Sequence, residues 1–208
     1  MTPIENLRPR IGAEHTDIAG VFEGVATLFG AAATKKAELA ATGRLTEAGI
    51  GAEVTAWAAK GVVPQLRRAE KFLADKKAVM DEYRASVGRP QIDRTDTLRA
   101  AHRKEAREYL RGLSVAQQAG LLLSPSADLL FAEAALEIPA LSGAAPDLIE
   151  KARAVYAERI EPNIMAKVAD REESIAALGA AVEITKANLR REVQPEGQSF
   201  DAWFDSVK

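Results

Sequence analysis

The residue types that most often carry chemistry are scarce and scattered in this chain. His15 and His102 are the only imidazoles, and there is no cysteine. Without cysteine there are no disulfides, thiolate metal sites or thiol nucleophiles, and the redox compartment stays undetermined. The two histidines are far apart and no His-Glu-x-x-His run exists, so neither builds a zinc site alone. His102, next to Arg103, reads as a surface histidine rather than a catalytic base. Asp170, Glu172 and Glu173 gather carboxylates, but a di-metal helix site also needs a Glu-x-x-His repeat, which is missing. Gly112-Leu113-Ser114 has no flanking strand and no partner histidine, so Ser114 is not read as a nucleophile. No phosphate loop or dinucleotide fingerprint occurs. The expectation is a non-enzymatic protein with no catalytic residue, no metal and no cofactor.

Two patterns point instead to binding. Between Arg89 and Arg111 lie Arg89, Arg94, Arg99, Arg103, Lys104, Arg107 and Arg111, opposed by Asp93, Asp96, Glu105 and Glu108. Arg99, Arg103 and Arg107 recur every four residues and share one helix face. The first reading is a solvated, salt-bridged face partly neutralised by Glu105 and Glu108. The second is a face for an acidic partner or a nucleic-acid backbone. No aromatic residues interleave as single-strand binding would want. The other pattern is Phe200, Trp203, Phe204 and Val207, the i, i+3, i+4, i+7 spacing of a helix laid into a groove. Ser199 can cap it and Asp201 suits its positive end. Pro195 and Gly197 separate it from the preceding helix. In a chain with 5% aromatic residues, this cluster is expected to bind a partner subunit through Phe200, Trp203, Phe204 and Val207, with folding back on its own bundle as the alternative.

These residues must be positioned by helices. The chain has 208 residues, 47% apolar and 28% charged, rich in Ala, Leu, Glu, Lys and Arg. That composition favours helices packed through small and aliphatic side chains. Net charge is −2, so no global electrostatic field argues for nucleic acid. The first fifteen residues contain Pro3, Pro9 and Gly12, lack periodicity and lack the apolar core of a signal peptide. They are expected to be an extended arm. No run of about 18 apolar residues is apparent, so no membrane-crossing helix is expected.

A first helix, capped by Thr16 or Asp17, carries Ile18, Val21, Phe22, Val25, Leu28, Phe29 and Ala32 on one stripe. After Thr42-Gly43 a second helix begins near Thr46. Gly61 and Pro64 predict a kink or break near residues 60–63. Beyond it, Val62, Leu66, Ala69, Leu73, Lys76, Met80, Tyr83 and Val87 alternate by four and three, a heptad with one lysine in its seam. Gly88 and Pro90 end it. Thr95 or Asp96 starts the arginine-bearing helix, and Ser114 with Gln117 spaces a capping box. Ser124-Pro125 predicts the next helix start, Pro139 to Pro146 a loop, and Pro146 another helix. Pro162 opens what reads as the longest helix. Its seam is Ile164, Val168, Arg171, Ile175, Leu178, Val182, Thr185 and Leu189, and it ends at Gln194, Pro195 and Gly197. The expected fold is all-α: an elongated bundle built on an antiparallel heptad hairpin, paired within or between chains, with a smaller helical cap. The expected organisation is an arm at 1–15, a body at 16–193 and an aromatic tail at 194–208. Within the body, long helices at about 46–88 and 162–193 flank a helical insertion at about 94–160.

The order of caps and turns carries a resemblance. Leu45-Thr46-x-x-Gly49 precedes a long helix, Leu113-Ser114-x-x-Gln117 opens a short one, Pro139-Ala140-Leu141-Ser142-Gly143 makes a turn, and Glu161-Pro162 opens the last long helix. Across residues 44–190 this resembles small helical proteins of poorly defined function encoded among the structural genes of tailed bacteriophages. The resemblance implies a virion component of the head or connector region that binds other protein subunits. A scaffolding protein or assembly chaperone is the close variant, and a nucleic-acid-associated protein using Arg99, Arg103 and Arg107 the distant one. It implies a host-cytoplasmic stage during assembly and then the virion. No membrane and no small-molecule substrate are expected as partners.

Overall fold

The computed structural model describes residues 2–193 and 195–207; Gln194, where the last long helix is expected to end, lies outside the described residues. The chain is all-α, 77% helical, with no strand among the described residues. It divides into two compact units, Met1–Met80 with Ala169–Lys208, and Asp81–Val168.

Unit 1 begins with a 3-10 helix, Glu5–Arg10, not an extended arm. The reason is burial: Ile4 and Ile11, the apolar residues that flank it, both enter the core. Helix α1 (Thr16–Leu28) and helix α2 (Ala31–Ala41) follow. The single stripe expected here is broken where Phe29 turns extended and Gly30 takes a left-handed φ of 78°. The Gly30 amide donates to Asn188 Oδ1 at 3.1 Å, so a side chain from another helix holds the turn. Residues Thr16–Ala41 do reach a mean hydropathy of 1.2 over a membrane-length window, correcting the expectation that no such stretch exists. In this structure the segment is bent at Gly30, and Ile18, Phe22, Val25 and Ala32 are buried in unit 1.

Helix α3 (Glu47–Ser86) passes through Gly61 and Pro64 without a break, and its 40 residues make it the longest helix. Proline removes one backbone donor, but Val62, Val63 and Leu66 on either side are buried and hold the turn in place. Helices α4 (Thr97–Arg111), α5 (Val115–Leu123), α6 (Leu129–Glu137), α7 (Pro139–Ser142) and α8 (Pro146–Ile160) come next. The last two are α9 (Ile164–Glu192) and α10 (Phe200–Ser206).

In unit 1, α3 and α9 form the expected hairpin within one chain. Leu73 lies over Gly179, where an added Cβ would sit 3.4 Å from its methyl carbon. Lys186 Nζ pairs with Glu70 Oε1 at 2.9 Å. Residue numbers fall along one helix as they rise along the other, so the two run antiparallel. Val62, Leu66, Ala69 and Met80 from one stripe, and Ile175, Leu178, Val182 and Leu189 from the other, are buried. The seam lysine has a partner in α1: Lys76 Nζ lies 2.6 Å from Asp17 Oδ2 and 5.0 Å from the Phe72 ring centroid. That hydrogen bond, with added attraction from Lys76 and Arg171, holds the Asp17 carboxyl below its ordinary 3.8. Both seam charges therefore serve one carboxylate. Asp17 does not cap α1, which starts at Thr16 without a side-chain cap.

In unit 2, local chemistry sets the helix ends. Asp96 Oδ1 accepts from the Arg99 amide at 2.8 Å, and Ser114 with Gln117 closes the expected capping box. The Ser124-Pro125 start is displaced by four residues: Ser124 Oγ takes the Ser126 amide in a turn, and Asp128 caps α6. The predicted 139–146 loop contains the short α7, closed by Gly143 at φ 72°. Helix α9 begins two residues after Pro162, where Asn163 is left-handed at φ 67°. The Glu158 carboxylate takes the amides of Asn163 and Met165 at 2.9 and 3.0 Å. The core of unit 2 joins Leu110, Leu122, Ala135, Leu136, Leu148, Ile149 and Tyr156 from four helices, α4, α5, α6 and α8.

Candidate functional site

The three arginines at four-residue spacing all pair with carboxylates of α6, Arg99 from an exposed position. Arg103 and Arg107 are only 2% and 8% exposed, where a solvated face was expected. Their partners come from α6 rather than from Glu105 and Glu108 on their own helix. Arg103 Nε and Arg107 Nη1 meet Glu137 Oε2 at 3.1 and 2.5 Å. Arg99 grips Glu133 through Nε and Nη2 at 3.2 and 2.8 Å, a two-point guanidinium–carboxylate pair. That pair raises the Arg99 guanidinium above its ordinary value. Burial, reinforced by the Glu133 charge, pushes the Tyr156 hydroxyl up. The acidic partner foreseen for this face is thus supplied by α6 of the same chain. The i, i+4 pattern revealed that the residues share a face, but not that a helix thirty residues downstream would cover it.

The aromatic tail is likewise engaged within the chain. Ser199 caps α10 through the Ala202 amide at 3.2 Å, as expected. Phe204 and Trp203 are buried, and Phe200 and Val207 are half-buried. Arg67 of α3 donates to the backbone carbonyls of Val207 and Asp205, the second at 2.8 Å. Lys186 of α9 lies 4.2 Å from the Phe204 ring centroid, Arg190 lies 4.9 Å from that of Phe200, and Arg190 pairs with Asp201. Of the two fates expected for this segment, the structure presents the one in which it folds back. Its anchor face packs on unit 1.

One cluster joins residues too distant in sequence to be grouped beforehand. The ligand-capable atoms of Glu14, His15 and Asp170 lie within 4.8 Å of one another. His15 Nε2 and Asp170 Oδ2 are hydrogen-bonded at 2.9 Å. Next to it the Gly12 amide donates to Ser174 Oγ at 3.0 Å, and Arg10 pairs with Glu173 at 3.0 Å. These bonds clamp the N-terminal segment onto α9. The cluster also lies at the start of α1, whose positive end opposes a cation.

The outer surface divides unevenly. Among the described residues, eight of the ten large apolar side chains that face solvent belong to unit 2. Leu98 and Tyr109 lie on the side of α4 away from the buried arginines. Val115, Leu141, Ile160 and Met165 are further members. In unit 1 only Leu45 and Val79 are of this kind. Periodicity did not flag them, because each is a single apolar residue in a polar stretch. No protein family, curated protein or solved structure matches the chain.

Proposed function

We propose that this chain is a non-enzymatic protein that works by binding other protein subunits, as a structural protein of a tailed bacteriophage in the head or connector region. The observation that carries the protein-binding part is the surface of unit 2. It has a closed core of its own, yet it turns Leu98, Tyr109, Val115, Ile160 and Met165 outward. Exposed apolar groups gathered on one body are what protein interfaces use. The bacteriophage part rests on the resemblance in caps and turns across residues 44–190.

The nucleic-acid reading loses support from the same geometry. Arg103 and Arg107 are buried against Glu137 and not free for phosphate contacts. Fractionation of a phage lysate tests the proposal. A structural protein sediments with mature particles through a density gradient. A scaffolding protein appears only in precursor particles, which would replace the structural reading with its variant. Recovery solely in the unassembled soluble fraction would overturn both.

A further inference from the structure

The sequence between α3 and α4 contributes two arginines that no carboxylate among the described residues takes up. Arg89 and Arg94 are exposed and form no ion pair with a described residue. The acidic residues nearest to them are already committed. Asp93 accepts from the Thr95 amide and hydroxyl at 2.8 and 2.6 Å, and Asp96 caps α4. Both arginines line an open cleft of about 590 Å³, together with Arg153 of α8. Arg153 reaches Glu150 at 3.3 Å through Nη1, but its Nε is buried with no hydrogen-bond partner. The one carboxylate of the cleft, Glu137, is shared by Arg103 and Arg107. The cleft therefore has surplus positive charge in a chain whose total is −2.

The loop is held in place rather than trailing. Gly88 takes φ 71°, and a Cβ there would come within 2.4 Å of the Arg153 carbonyl oxygen. Only glycine allows that approach, so the chain leaves α3 pressed against α8 and sets Arg89 beside Arg153. Apart from the arginines and Glu137, the lining is apolar: Pro90, Ile92, Leu136 and Pro139. The prolines have no amide hydrogen, so they add none of the backbone donors from which phosphate cradles are built. A ligand here meets planar guanidiniums, which suit carboxylates, over an apolar floor, which suits a side chain.

We propose that this cleft binds an acidic segment of a partner protein, one with carboxylates on either side of an apolar residue. The assignment rests on the protein-binding reading above and names the chemistry of the partner. The probe is the capped tripeptide acetyl-Glu-Leu-Glu-amide, titrated into the full chain while the arginine Nε–Hε resonances are followed by NMR. Acetyl-Gln-Leu-Gln-amide and inorganic phosphate are the comparison ligands.

Saturable shifts of Arg89, Arg94 and Arg153 are expected with the glutamate peptide. Affinity should fall at least tenfold for the glutamine peptide and for the R89A/R94A double variant. Both side chains are exposed, so the double variant should keep its melting temperature. R89K/R94K, which retains charge without the two-point geometry, should recover part of the affinity and guards against a folding artefact. No saturable shift, equal shifts with inorganic phosphate, or unchanged binding by R89A/R94A would each overturn the proposal. The parent reading fails separately. If the peptide does not bind but the chain still sediments with particles, the cleft assignment falls and the protein-binding function stands. If the peptide binds but the chain is absent from particles, the cleft stands and the virion assignment falls.

Discussion

Unit 1 buries aliphatic and aromatic side chains, and among its described residues the buried polar ones are Ser174 and Thr185. Unit 2 buries Arg103, Arg107 and Glu133, and it also exposes most of the chain's outward-facing large apolar residues. The two bodies thus use opposite materials. Unit 1 keeps its charges at the rim, as in Lys76–Asp17, Lys186–Glu70 and Arg10–Glu173. Unit 2 is held partly by ionic contacts inside and keeps apolar groups outside. A helix bundle closed by apolar packing needs nothing further. A body with ion pairs within and apolar groups without leaves apolar surface in contact with water. Buried ion pairs add geometric definition more than net stability, because desolvation offsets much of their attraction.

The largest expected effect tests the self-sufficiency of unit 1. Phe204→Ala removes a ring that is 1% exposed, and Phe-to-Ala losses in cores run to about 3–5 kcal/mol. Urea unfolding would measure it. A loss well below 1 kcal/mol would mean the tail is not part of the core, and the contrast between the units would weaken.

The ionic interior of unit 2 is the next target. Glu137→Ala leaves Arg103 and Arg107 facing each other without their shared carboxylate. The expected cost is about 2–3 kcal/mol, below the fully buried case because Glu137 keeps some access to water. Replacing all three together, with E137L, R103M and R107M, should restore most of that stability. If the triple variant is as unstable as the single one, the network does more than neutralise itself.

A smaller effect concerns the loop that leaves α3. Gly88→Ala forces a side chain into left-handed backbone, which costs about 1–2 kcal/mol before any clash. The clash with Arg153 should also displace Arg89, visible as changed Arg89 and Arg153 NMR resonances. Unchanged spectra would show that the loop has another way to pack.

The smallest effect is electrostatic and belongs to unit 1. The Asp17 carboxyl is held below its ordinary 3.8 chiefly by its hydrogen bond to Lys76. A carboxylate with a depressed folded-state value stabilises above the unfolded value, and the benefit is lost as pH falls through the folded one. Wild type should therefore be slightly more stable than D17N at neutral pH. The gap should close as pH drops below 3.8. A gap independent of pH would assign the effect to packing rather than to the ion pair.

Helix existence was legible in the chain because it depends on local matters: spacing of apolar residues, caps and left-handed glycines. The Asp96 cap, the Ser114–Gln117 box and most of the two seams lie where their spacing puts them, although Tyr83 of the first seam is 40% exposed. Whether a break takes effect was not legible. Pro64 could not interrupt α3, whereas Gly30 did separate α1 from α2, and the difference lies in what packs on each. Partner choice was equally hidden. Glu105 and Glu108 are near Arg103 and Arg107 in sequence but not at the three- or four-residue spacing that shares a face, and a face buried under α6 is neutralised from α6. The tail carried the same ambiguity, since an amphipathic turn fits its own bundle or another chain equally well by pattern. Local spacing determines what a segment can form. Which surfaces are then consumed internally is decided by non-local burial, because the free energy of covering an apolar face or pairing a charge depends on what the rest of the chain brings to it.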